Sequence, residues 1–132
     1  SPGVRLLLAL LDWHHALYRA LREAGADADA AGAVIERVGW ALARPGVTLG
    51  FGLTRLAAAD RVARVRGLVD ALFATLFGAP FARAVRPDAD AVAFDVTRCP
   101  LAEHLAARGA PELTRHAACA LDHRMAAAWG VR

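Results

Sequence analysis

The chain contains no lysine, and all 16 of its basic residues are arginine. Without lysine there is no amine to form a Schiff base or to hold the phosphates of a P-loop, so pyridoxal phosphate chemistry is excluded. There is no GxSxG turn to carry a serine nucleophile, and no CxxC or HExxH from which a zinc site is usually built. "GFGLTR" (50–55) is a lone glycine pattern, lacking the strand, helix and acidic partner of a dinucleotide fold. No cofactor and no structural metal are expected. Cysteine is scarce: Cys99 and Cys119 are the only two, too few for a disulfide scaffold in a domain of this size. Long apolar runs are missing too. "VRLLLALL" (4–11) meets Asp12 far short of the roughly 20 residues that cross a bilayer. No secretory signal pattern is visible, so the expected setting is cytoplasmic and reducing, where free thiols persist. The opening "SPG" reads as a cloning remnant.

What remains is globular in composition. The 132 residues are 57% hydrophobic and 22% charged, a length that suits one domain over 1–132 burying about 70% of its unfolded surface. Heavy alanine use with arginine as the sole base reads as the coding bias of a GC-rich bacterium. The formal charge of +3 is spread from Arg5 to Arg132 and interleaved with acids such as Glu36, Asp60 and Asp70. A nucleic-acid binder gathers its arginines on one face beside aromatics, so nucleic acid is not an expected partner.

Periodicity points to a mainly helical α+β fold. Leu7, Leu10, Leu11, His14, Leu17, Tyr18 and Leu21 recur at helical spacing over 4–24, with Gly25 as the stop. Adjacent His14 and His15 point about 100° apart, so only one of them can face a core. A second helix is expected over 27–46, capped by Asp29 and ended by Pro45-Gly46, with Gly32 and Gly39 leaving room for close packing. Residues 47–55 read as a glycine-punctuated connector, 56–78 as a third helix and 84–90 as a turn. "AVAFDVT" (91–97) alternates Val92, Phe94 and Val96 with small or polar residues, the one clear strand signal, near 91–98. Two C-terminal helices, 100–108 and 111–129, follow. A single strand cannot stand alone. Its expected partner is 47–53, strands outside this chain, or another chain, which would imply a homodimer or a heteromeric complex.

The chemistry-bearing residues gather around the two cysteines. Pro100 favours the first helical position, placing Cys99 at the N-cap where the strand hands over to a helix. A thiol in such a place faces unpaired amides and the positive end of the helix dipole, which favour its nucleophilic form. Glu103 lies one turn on, within reach to relay a proton. In the last helix Leu113, Ala117, Leu121 and Met125 make an apolar stripe. Glu112, His116, Cys119 and His123 make a second, on which Cys119 and His123 are four apart and able to touch. Two ligands on one helix do not close a zinc site. The plainer account of these residues is two buried thiols beside a surface histidine pair, since free cysteine is commonly a small core residue.

The block "FDVTRCPLAEHLAARGAPELTRHAACALDHRMA" (94–126) resembles the L-2-amino-thiazoline-4-carboxylic acid hydrolase family. The shared pattern is a strand, Cys-Pro, an acid three residues later, Pro-Glu-Leu, then a cysteine followed three residues on by aspartate. Cys99, Pro100, Glu103, Pro111, Glu112, Leu113, Cys119 and Asp122 match it. The resemblance implies an α+β hydrolase acting on a small cyclic C–N/C–S substrate of thiazoline or cyclic amidine type. Cys99 would be its nucleophile, Glu103 or His123 its proton carrier, with Cys119 and Asp122 beside the pocket. It also implies final strands that this sequence does not include. The alternative is a non-catalytic member: a small-molecule or metal-binding subunit, or an interaction module of a larger assembly.

Overall fold

A computed structural model describes residues 1–130. Helices α1 (Pro2–Glu23) and α2 (Ala28–Leu53) lead through a 3-10 turn (Thr54–Leu56) into α3 (Arg61–Thr75). Strands β1 (Ala82–Arg86) and β2 (Ala93–Arg98) follow, then α4 (Pro100–Ala107), a π-helical turn (Arg115–Cys119) and α5 (Ala120–Trp129). The fold is mainly helical α+β.

The helices start where short polar side chains meet the first free amides. Ser1 Oγ accepts from the Val4 amide, Asp27 from Ala30 and Asp60 from Ala63. Asp27 therefore caps α2, in place of the expected Asp29. The first residues are built into the fold, since the Ser1 ammonium donates to the Ala79 carbonyl at 2.8 Å. A Cβ on Gly3 would lie 2.4 Å from the Thr75 carbonyl oxygen, so only glycine fits there.

Two expectations need correction. Helix α2 does not end at Pro45; it continues to Leu53, so 47–53 is neither a connector nor a strand. A mid-helix proline removes one amide donor and crowds the carbonyl four residues back, a cost of about 3 kcal/mol that packing further along must offset. Val47 and Phe51 reward the continuation by packing against Val65, Val69 and Trp129. The second correction concerns the strand's partner. β2 pairs antiparallel with β1, whose residues 84–86 lie in the expected turn, so the strand is not unpaired and gives no reason to invoke a second chain. "ARAVR" lacks β-forming character. It is held extended because Arg83 pairs with Asp70 on α3 and stacks its guanidinium 4.3 Å from the centre of the Phe73 ring.

Two hydrophobic clusters organise the interior. The first joins α1, the start of α2, α4 and the π turn through Leu11, Tyr18, Ile35, Leu101, Leu105, Leu113 and Ala117. Each fully buried leucine or isoleucine contributes about 1.5–3 kcal/mol. The second joins the end of α2, α3, the ribbon and α5 through Val65, Val69 and Trp129, with Phe51, Phe73 and Phe94 around them. Helices α2 and α5 run side by side in the same direction. Leu121 lies 3.6 Å from the Cβ position of Gly39, and the Phe51 and Trp129 rings are 6.3 Å apart further along.

Candidate functional site

The two cysteine motifs are brought together by the turn between β2 and α4 and by the helix that ends in α5. Cys99 is the N-cap of α4 with Pro100 behind it, as the Cys-Pro pair predicts, and its side chain makes no capping hydrogen bond. It is half-buried against the first hydrophobic cluster. Cys119 ends the π turn inside the last helix and is exposed at its edge. A π turn widens the helix by one residue and commonly marks a functional position. Both thiols are free.

The electrostatics tie the motifs into one neighbourhood. Desolvation by the surrounding protein pushes the Cys119 thiol up, and the negative charges of Asp122 and Cys99 add to the effect. The fold thus brings Cys99 close to Cys119, twenty positions away in sequence. Asp122 is exposed, yet desolvation by the protein around its carboxyl raises it from its ordinary value, opposed by His123 beside it. Such a carboxyl holds its proton more readily than an ordinary aspartate.

Glu103 is differently placed. Arg98 grips both its oxygens, at 2.9 and 3.2 Å, and the guanidinium holds the carboxyl below its ordinary range. It is a fixed anion clamping the end of β2 to the first turn of α4. His123 is exposed, with no hydrogen-bond partner among the described residues.

Two further constellations escape sequence reasoning. The His116 Nδ1–H donates to Glu36 on α2 at 2.7 Å, and the imidazole lies over Gly32, where a Cβ would come within 2.6 Å of Nε2. On α4, His104 donates from Nε2 to Asp12 at 2.8 Å and accepts at Nδ1 from Arg108 at 3.1 Å. That hydrogen bond, ahead of the neighbouring positive charges, lowers the Asp12 carboxyl. The partners lie 80 and 92 residues apart, and the only local signal was the placement of His116 on the Cys119 stripe. Among the described residues no three His, Cys, Asp or Glu side chains converge as a metal-binding set.

The sequence model described as L-2-amino-thiazoline-4-carboxylic acid hydrolase matches residues 8–131. The chain belongs to that family. The match reaches far beyond the 94–126 block that carries the visible resemblance and takes in α2, α3 and most of α1. No curated protein and no solved structure matches the chain significantly. None of the helices among the described residues is long and apolar enough to cross a membrane.

Proposed function

We propose that this member of the family hydrolyses a small cyclic C–N/C–S compound, of thiazoline or cyclic amidine type, with Cys99 as the nucleophile. The observation that supports it is that Cys99 caps the N-terminus of α4 and lies near enough to Cys119, on the helix that also carries Asp122, for its charge to bear on that thiol. The Cys99 thiolate adds to the C=N carbon of the ring, and the ring nitrogen takes a proton from Asp122 or His123. Collapse of the tetrahedral carbon breaks a ring C–N or C–S bond, and water then releases the opened product from sulfur. First-turn amides of α4, which have no acceptor within the helix, supply hydrogen bonds to the developing negative charge. Asp122 suits proton transfer because its carboxyl is raised. Glu103 stays ionised and sets the position of the Cys99 turn through Arg98. Cys119, with its thiol pushed up, lines the site as a neutral group. A cytoplasmic, reducing setting would keep both thiols available.

A second reading is a non-catalytic, ligand-binding member. It draws on two open recesses in the molecule, lined respectively by α3 with the ribbon and by α2 with Arg124, neither of which includes a cysteine. Ring opening of 2-amino-thiazoline-4-carboxylate by purified protein, followed by mass spectrometry, separates the two. The hydrolase reading expects turnover that Cys99→Ser abolishes, and iodoacetamide labelling of Cys99 ahead of Cys119. Turnover unchanged in Cys99→Ser would remove the nucleophile assignment. Absence of turnover and of labelling at Cys99 would favour the binding module.

A further inference from the structure

The arginines divide into those with partners and those without. Arg19, Arg83, Arg86, Arg98 and Arg108 pair with Glu23, Asp70, Asp95, Glu103 and Asp12. Arg22, Arg61, Arg64 and Arg66 donate to backbone carbonyls. Among the described residues Arg5, Arg37, Arg44, Arg55, Arg115 and Arg124 have neither kind of partner, and three of these six, Arg37, Arg44 and Arg124, line one recess of about 400 Å³. Its other walls are Trp40, Ala41 and Pro45, and no acidic residue lines it.

The placement follows from the helices. Arg37, Trp40 and Arg44 are spaced three and four apart, so they share one face of α2. The parallel run of α5 beside α2 brings Arg124 to the same level. The ribbon groove shows what an internally neutralised set of arginines looks like. There Arg66, Arg83 and Arg86 also line one open space, of about 570 Å³, but Asp70 neutralises Arg83, Asp95 neutralises Arg86, and backbone carbonyls hold Arg66. The recess on α2 has the same number of guanidinium groups and no acidic residue in its lining.

We infer that this recess binds a small phosphate monoester carrying a planar ring, with the phosphate held by Arg37, Arg44 and Arg124 and the ring laid against Trp40. Three guanidinium forks match the three terminal oxygens and double charge of a phosphate dianion better than the two oxygens and single charge of a carboxylate. The half-buried indole offers a flat apolar wall, and the volume falls within the range of small-molecule sites. The recess shares no lining residue with the cysteine cluster, and the proposal does not rest on the hydrolase reading.

The test is calorimetric titration with phenyl phosphate, inorganic phosphate and benzoate at low salt. Phenyl phosphate should bind one to one and more tightly than either of the others, and weaken as sodium chloride is added. Arg37→Gln, Arg44→Gln and Arg124→Gln should each weaken it about tenfold, the scale of a lost charge-assisted hydrogen bond. Arg5→Gln and Arg55→Gln, which remove the same charge elsewhere, should leave it unchanged. Trp40→Leu should erase the advantage of phenyl phosphate over inorganic phosphate. Because Arg37 and Arg44 are exposed, their variants should keep the parent's circular dichroism and melting curve, so a loss of binding is not a loss of fold. Cys99→Ser should bind as the parent does, which keeps this result apart from that of the hydrolase assay. No saturable binding, equal weakening by the Arg5 and Arg55 controls, or tighter binding of benzoate would overturn the assignment.

Discussion

The two hydrophobic clusters solve the same problem with different materials. In the first, Ile35, Leu105 and Leu113 are fully buried, and aliphatic side chains from α1, α2, α4 and the π turn interlock. In the second, Phe51, Phe73 and Phe94 are only partly buried, and arginines close over their faces: Arg64 at 4.2 Å from Phe51, Arg83 at 4.3 Å from Phe73. An aliphatic core gains by excluding water completely. An aromatic one tolerates a wet rim, because guanidinium groups lie over ring faces without giving up all their hydration. Cys99 rests on the first cluster, while Met125, three residues after Asp122, packs into the second.

The sharpest way to break this contrast is to cut into both sides. Leu105→Ala should lower unfolding stability by about 2–5 kcal/mol in urea titrations, because the fully buried site cannot collapse around the gap. Phe73→Ala removes more atoms but, from a half-exposed position, should cost less than Leu105→Ala. The reverse order would mean that the aromatic cluster is the principal core.

The next largest effect is one of acid, and it concerns the first cluster's side of α1. His14 donates from Nδ1 to the Leu10 carbonyl at 2.8 Å, which leaves Nε2 buried without a partner. Burial lowers its pKa from the ordinary 6.5, outweighing that hydrogen bond, which acts to raise it. Below about pH 6.5 the unfolded chain therefore takes up a proton that the folded one resists, and stability should fall as the pH drops through that range. Urea midpoints at pH 7 and pH 5 measure the loss. In His14→Leu the difference should shrink, and an unchanged pH slope would clear His14 of the effect.

A smaller effect sharpens the other side. Arg83→Gln removes both the ion pair with Asp70 and the stacked guanidinium, and should cost about 1 kcal/mol. Half-exposed rings of the second cluster should then bind a hydrophobic dye that the parent excludes. Unchanged dye binding and melting temperature would show that the arginine lids are ornamental.

Legibility in the sequence followed the reach of each interaction. The stripe of Leu113, Ala117, Leu121 and Met125 was readable because helical spacing is local, and its members enter the clusters or face Gly39 as expected. Cys99 at the start of α4 was readable for the same reason: Pro100 decides it from the next position. β1 was not readable, because "ARAVR" becomes a strand only through Asp70 and Phe73 on another element. The run of α2 past Pro45 depends on Val47 and Phe51 finding Trp129 at the far end of the chain. Within the candidate site, the residue types were visible, but their states were not. Nothing in the spacing of Glu103 shows that Arg98 holds it ionised, and nothing near Asp122 shows that surrounding protein raises it.

Helix α2 has 26 residues, a rod of about 39 Å at 1.5 Å per residue. Its first half is clamped by Ala31 and Ile35 in one cluster, and its second half by Val47 and Phe51 in the other. A plank resting on two boats passes the roll of either to its neighbour, and α2 stands in that relation to the two cores. Neither can swell or tilt on its own unless the rod bends, and the place with the fewest restraints against bending is Pro45, where one backbone hydrogen bond is already missing.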